Sequence, residues 1–175
     1  MLKKRCISLF VENEVGTLAY ISGLLSGKSY NMDSLTVGTT LDPTISRMTI
    51  TLTSDDRTFE QIKKQLNRSV AVIKVVDFTR GDFFMKELMY VKLIGCDDKE
   101  MKRAAKLAAD YDATVVECVS GAVLMESVNP ESANDRLLNA LQRDFAGRIE
   151  IVRGGTVAIE ALEAGNQEKQ LTVYD

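Results

Sequence analysis

The sequence predicts an α+β protein of two successive domains, each ordered strand, helix, strand, strand, helix, strand. Three observations predict it. The run "SRMTITLT" alternates Met48, Ile50 and Leu52 against Thr49, Thr51 and Thr53, the period-two pattern of a strand with one apolar face. Two segments, about Thr17 to Ser26 and "DDRTFEQIKKQL", repeat apolar residues at helical spacing on either side of a strand pair. The same element order then returns in the second half with different residues.

The first strand, "CISLFV", sets Ile7, Leu9 and Val11 on one side. Leu18, Ile21, Leu24 and Leu25 form the apolar face of the first helix. Gly27 follows where a left-handed C-cap glycine belongs, and Lys28 lies near the negative end of the dipole. "DSLTVGTT" is the second strand, with Leu35 and Val37 on one face, and "LDPT" is a turn set by Pro43. The second helix buries Phe59, Ile62 and Leu66, and "VAVIKVVDF" is the fourth strand. This order is the ferredoxin-like βαββαβ arrangement, an antiparallel sheet with both helices on one face.

The second half begins with the strand "ELMYVKLI". The helix "DDKEMKRAAKLAADY" turns Met101, Ala104, Ala105 and Ala108 inward. "ATVVECV" and "GAVLMESV" are strands joined near Ser120 and Gly121. The next helix takes Asn129 as cap, Pro130 as first helical residue, and Leu137, Leu138, Leu141 and Phe145 as core. "RIEIVRGGTVAIEAL" supplies the last strand, with an interruption near Gly154 and Gly155. The domains are therefore 1–80 and 81–163, with the boundary near Gly81 and a polar tail over 164–175. Domains this small gain from dimerisation.

A net charge of −3 gives no basic field for nucleic acid. No apolar run approaches the roughly 18 residues of a membrane span, and the apolar part of "MLKKRCISLF" is too short for a signal peptide. A cytoplasmic protein is expected. Cys6, Cys96 and Cys118 have no Cys-x-x-Cys spacing and read as reduced core or near-core thiols. Histidine is absent, which removes the usual general base near neutral pH and the commonest transition-metal ligand. The pairs Asp55-Asp56 and Asp97-Asp98 each precede a helical pattern, where carboxylates cap free N–H groups; no third ligand converges to make either a metal site. No serine sits in a nucleophile elbow. No catalytic residue and no metal is predicted.

Two stretches invite a ligand. "SGLLSGKSYN" contains Gly-Lys-Ser, yet a phosphate loop needs four residues between its glycines, and only three separate Gly23 from Gly27. The triplet also lies at a helix C-terminus, where the dipole repels phosphate. The other stretch is "VENEVGTLAYIS", a strand-to-helix junction. Gly16 stands at or just before the helix N-terminus, where backbone N–H groups carry partial positive charge and a residue without Cβ lets a small carboxylate approach. Asn13 offers one acceptor and two donors, and Asn31 closes the same helix-strand segment. A free amino acid needs such a mixture: N–H groups for its carboxylate, oxygens for its ammonium, and an apolar pocket for its side chain. The plainer reading is also open: a tight turn at Gly16 and two asparagines that only shape turns.

The runs "VENEVGTLAYISGLLSGKSYNMDSLTVG", "DPTISRMTI" and "EQIKKQL" together resemble the N-terminal ACT domain of the small, regulatory subunits of acetohydroxyacid synthase (acetolactate synthase). "KELMYVKL" resembles the start of that family's C-terminal domain. The resemblance is dense over 9 to 52 and looser afterward. It implies a chain that does no chemistry and holds no cofactor. Such a subunit binds and activates the catalytic subunit and makes it sensitive to valine in branched-chain amino-acid biosynthesis. Thiamine diphosphate, magnesium and FAD belong to the catalytic partner. Two ACT domains pair into a homodimer and hold valine, or another branched-chain amino acid, at their interface. The implied ligand residues are Asn13, Gly16, Thr17, Leu18 and Asn31. Gly16, Thr17 and Leu18 would offer N–H groups, and the asparagines would orient the ligand or bridge the dimer. Val15 departs from the Pro or Ser found there in many members. The acidic "VAIEALEAG" departs from a basic ending, so no C-terminal contact carries over.

Two rivals stand beside this reading. One is a free-standing ACT-domain amino-acid sensor acting on another target. The other is a small enzyme on a ferredoxin-like scaffold, a fold that hosts many functions.

Overall fold

A computed structural model describes residues 1–27, 30–79 and 81–162. Lys28 and the tail over 164–175 lie outside the described residues. The elements are β1 (Lys3–Glu12), α1 (Thr17–Ser26), β2 (Met32–Thr39), β3 (Ile45–Ser54), α2 (Asp56–Leu66), β4 (Val72–Asp77), β5 (Phe83–Ile94), α3 (Asp98–Asp110), β6 (Ala113–Val119), β7 (Ala122–Asn129), α4 (Glu131–Phe145) and β8 (Ile149–Glu160). They build two four-stranded sheets, ordered β2-β3-β1-β4 and β6-β7-β5-β8. This is the predicted βαββαβ arrangement, made twice. Two compact units result, Met1–Phe84 with the chain from Val157, and Met85–Thr156. Two strands cross that division, β5 at Phe84 and β8 at Val157.

In the first unit β1 is central, antiparallel to both β3 and β4. Ile7 stands opposite Ile50 and Leu9 opposite Met48. Their shared face packs under Ile21 and Leu25 of α1 and Phe59, Ile62 and Leu66 of α2, all buried. Asp55 caps α2, its carboxylate accepting from Thr58 N at 2.9 Å, as the acid pair predicts. The threonine face of β3 is not solvated as simple alternation suggests. Ser8, Thr49 and Thr51 are buried, and Ser8 Oγ and Thr49 Oγ1 satisfy each other at 2.9 Å.

In the second unit Met89, Val91 and Leu93 of β5 and Val123 and Met125 of β7 meet α3 and α4. Asp97 caps α3 in a complete capping box with Glu100. Leu137, Leu141 and Phe145 are buried as predicted, and Leu138 packs partly against them.

Several local expectations change. Gly27 is the C-cap of α1 but keeps right-handed dihedrals (φ −63°, ψ −12°), its N–H still bonded to Gly23 O at 2.9 Å. A Cβ there would stand 3.1 Å from that carbonyl, so close approach, not chain reversal, accounts for the glycine. Asn129 ends β7 and does not cap α4. Its Nδ2 donates to Asp112 O at 3.0 Å and to Ser127 Oγ at 3.0 Å, and Pro130 takes the cap position. Ala105 is exposed, because the inward stripe of α3 runs through Met101, Ala104, Leu107 and Ala108. Cys118 is exposed and only Cys6 and Cys96 are buried; all three are free thiols. β8 runs unbroken past Gly154 and Gly155, the latter absorbing a positive φ of 81°.

Candidate functional site

The β1–α1 loop is fixed from both sides. Glu12 N donates to Ala71 O at 3.1 Å and Asn13 N to Thr44 O at 2.7 Å. The Asn13 side chain is tied to the β2–β3 turn as well: Nδ2 donates to Pro43 O at 2.8 Å, and Oδ1 accepts from Ser46 Oγ at 3.0 Å. That leaves one N–H and one lone pair of the amide for another partner. The turn is itself held by Asp42, whose Oδ1 accepts from the Thr44 hydroxyl at 2.6 Å and the Thr44 amide at 2.8 Å. Those two hydrogen bonds hold the Asp42 carboxyl below its ordinary range.

Gly16 is the N-cap of α1 in a left-handed conformation, φ 94° and ψ −15°. A side chain there is strained by about 1–2 kcal/mol. The space above it is open, since a Cβ would meet nothing within 4 Å. Thr17 N donates back to Glu14 O at 3.2 Å and Tyr20 N to Gly16 O at 2.8 Å. Among the described residues the Leu18 and Ala19 amides meet no backbone acceptor and no capping side chain.

The four helix starts differ in one respect. Asp55 caps α2 and Asp97 caps α3, with Asp56, Asp98 and Glu100 adding charge in their first turns. α4 has Glu131 in its first turn. α1 has neither a capping side chain nor an acid there. Its partial positive charge is therefore met by no carboxylate of its own first turn.

Of the five sequence-predicted residues, Asn13, Gly16, Thr17 and Leu18 lie together at this start. Asn31 does not lie with them inside one chain. It is exposed, just before β2, beyond the far end of a ten-residue helix that spans about 15 Å. Thr17's N–H is turned toward Glu14 O, leaving Leu18 and Ala19 as the outward amides. Pattern reading did not find Pro43, Thr44 and Ser46, which fix Asn13. They lie some 30 positions along the chain, and only the fold brings them to the loop. Among the described residues no group of three or more metal-ligating side chains gathers, and no helix is long and apolar enough to cross a membrane.

Comparison with known proteins agrees with this fold. Residues 7–74 match the family described as AHAS small subunit-like ACT domain, and residues 86–162 match the small subunit of acetolactate synthase. The acetolactate synthase isozyme 3 small subunits of Salmonella typhimurium and of Escherichia coli K12 are each 34% identical over 158 residues, covering 89% of this chain and 94% of theirs. A probable acetolactate synthase small subunit of Archaeoglobus fulgidus is 33% identical over 156 residues, covering 89% of this chain and 96% of its own. The crystal structure of the acetolactate synthase small subunit from Thermotoga maritima superposes with a TM-score of 0.81 over 93% of this chain and 99% of that one, at 24% identity. Fold and loop define an ACT-domain protein with a second ferredoxin-like domain. The chain belongs to the acetolactate synthase small-subunit family. Membership fits a regulatory, non-catalytic subunit, and a small subunit implies a catalytic large partner.

Proposed function

We propose that this chain is the regulatory subunit that activates the catalytic subunit of acetolactate synthase and confers feedback inhibition by valine. The supporting observation is the start of α1. Two outward amides, a glycine with open space above it, and no acid in the first turn make a place suited to a small carboxylate. Asn13 holds one N–H and one lone pair in reserve beside it. Asn31 reaches the ligand from a second protomer, since in its own chain it stands at the other end of α1. Valine thus bridges a homodimer.

The mechanism is linkage. Valine bound across two protomers favours one dimer geometry. If the catalytic subunit is more active with the other, valine lowers activity, and the catalytic subunit's state must in return change valine affinity. Thiamine diphosphate, magnesium and FAD stay with the catalytic partner, and this chain acts on them only through that partner's conformation. The complex works in the cytoplasm, on neither membrane nor nucleic acid. The test is reconstitution: acetolactate formation from pyruvate by the catalytic subunit, with and without this chain and valine. The chain should raise the rate and valine should lower it again. A catalytic subunit whose rate this chain does not change would contradict the reading.

A further inference from the structure

Ser46 and Arg47 are consecutive on β3 and point to opposite faces of the first sheet. Ser46 stands opposite Val11 and is buried, with its hydroxyl on Asn13 Oδ1 at 3.0 Å. Arg47 stands opposite Phe10 on the other face. Its Nε donates to Ser8 Oγ at 3.2 Å, and its Nη2 donates to the main-chain oxygen of Ala158 in β8 at 3.0 Å. The guanidinium lies 5.1 Å from the Phe10 ring centroid, and Lys74 approaches the same ring at 5.8 Å. Ser8 is fully buried and is held in turn by Thr49. The planar guanidinium therefore has two directional acceptors and a ring to fix it, and its bonds are charge-assisted.

Ala158 is the informative acceptor. β8 spans Ile149–Glu160; its residues up to Thr156 belong to the second unit and its end from Val157 to the first. Ala161 N then closes that end on Asp82 O at 3.0 Å. We infer that Arg47 is a positioning residue that couples the Asn13 loop to β8, so that the state of the loop reaches the second unit along a continuous strand. This rests on the proposed regulatory reading, for which it supplies the outgoing connection. A change at Asn13 moves Ser46. The same stretch of β3 then reorients Arg47, and the Ala158 carbonyl follows or loses its donor. Methionine at 47 fills similar space and keeps neither hydrogen bond. Lysine keeps the charge but lacks the planar fork whose separate nitrogens, Nε and Nη2, reach Ser8 and Ala158.

A double-mutant cycle tests this on the full chain, read as amide hydrogen exchange over residues 157–161. Asn13→Ala should speed exchange there about fivefold with Arg47 present, and by less than about twofold in Arg47→Met, the size of effect expected of directly coupled sites. Arg47→Lys should fall between them and provides the cycle if the methionine variant does not fold. A merely structural Arg47 predicts equal responses to Asn13→Ala in all backgrounds, and that result overturns the coupling. So does an Asn13→Ala chain whose 157–161 exchange is unchanged. The cycle needs no valine, so a chain that binds none by calorimetry contradicts the regulatory reading and not this one.

Discussion

Asn13 and Ser46 lie 33 positions apart and share one hydrogen bond, Ser46 Oγ to Asn13 Oδ1 at 3.0 Å. With Pro43 O on the amide's other end, the side chain is a clamp between the β1–α1 loop and the β2–β3 turn. Asn13→Ala should lower unfolding free energy by about 1 kcal/mol, and Ser46→Ala by a similar amount. Urea denaturation of both singles and the double checks it. The double variant should cost less than the sum, because the two share a bond.

A buried polar chain organises the second unit. Ser127 Oγ donates to Asn134 Oδ1 at 2.7 Å, Asn134 Nδ2 donates to Glu87 Oε1 at 3.0 Å, and Arg153 donates to the same carboxylate. Asn134 and Glu87 are almost wholly out of water. Asn134→Ala leaves the carboxylate and the hydroxyl each short of a partner and should cost about 2–4 kcal/mol. Thermal melting of that variant beside Asn139→Ala, an exposed position on the same helix, should show a loss only in the first.

Glu100 caps α3 and takes both Arg148 nitrogens, Nη2 to Oε1 at 2.6 Å and Nη1 to Oε2 at 3.0 Å. The Arg148 hydrogen bonds, then that to the Asp97 amide, hold its carboxyl down to about 2 against an ordinary 4.5. A depressed folded value means the unfolded chain binds the proton first as pH falls. The stabilisation is thus complete above 4.5 and drains away toward 2. An NMR titration should show Glu100 still ionised well below its ordinary value of 4.5, and Arg148→Met should raise it toward that value, the Asp97 amide still holding it somewhat lower.

The thiols should separate in reactivity. Burial pushes the Cys6 thiol up to about 11, partly offset by Arg47, and Cys96 is buried and raised for the same first reason. Cys118 is exposed. At about pH 8 a thiol reagent should modify one cysteine quickly in the native chain and the other two only on unfolding. Peptide mapping should find the fast label on Cys118.

Much of the fold was legible because its signals are local. The alternation of Met48, Ile50 and Leu52 and the helical spacing of Phe59, Ile62 and Leu66 follow from backbone period alone, and all six are buried. Expectations that depended on which neighbour arrives went differently. Asn129 has the right type and place for a cap, but the α3–β6 turn offers it backbone carbonyls, and it takes those. Thr49 and Thr51 look solvent-facing by pattern and are buried on the sheet's second face. At the site, Gly16 was legible from its position at a helix start. The roles of Ser46 and Arg47 were not, because "SRMTI" carries no spacing that relates it to Asn13 or Ala158.

The central claim is that a branched-chain amino acid docks its carboxylate on the amides that follow Gly16. Calorimetric titration of valine into the chain and into Gly16→Asp tests it most directly. The new carboxylate would occupy the open space above residue 16 and repel the ligand's own. Valine affinity should fall at least about tenfold, a change of about 1.4 kcal/mol, while a thermal melt shows the variant folded. A folded Gly16→Asp chain that binds valine as the native chain does would contradict the account.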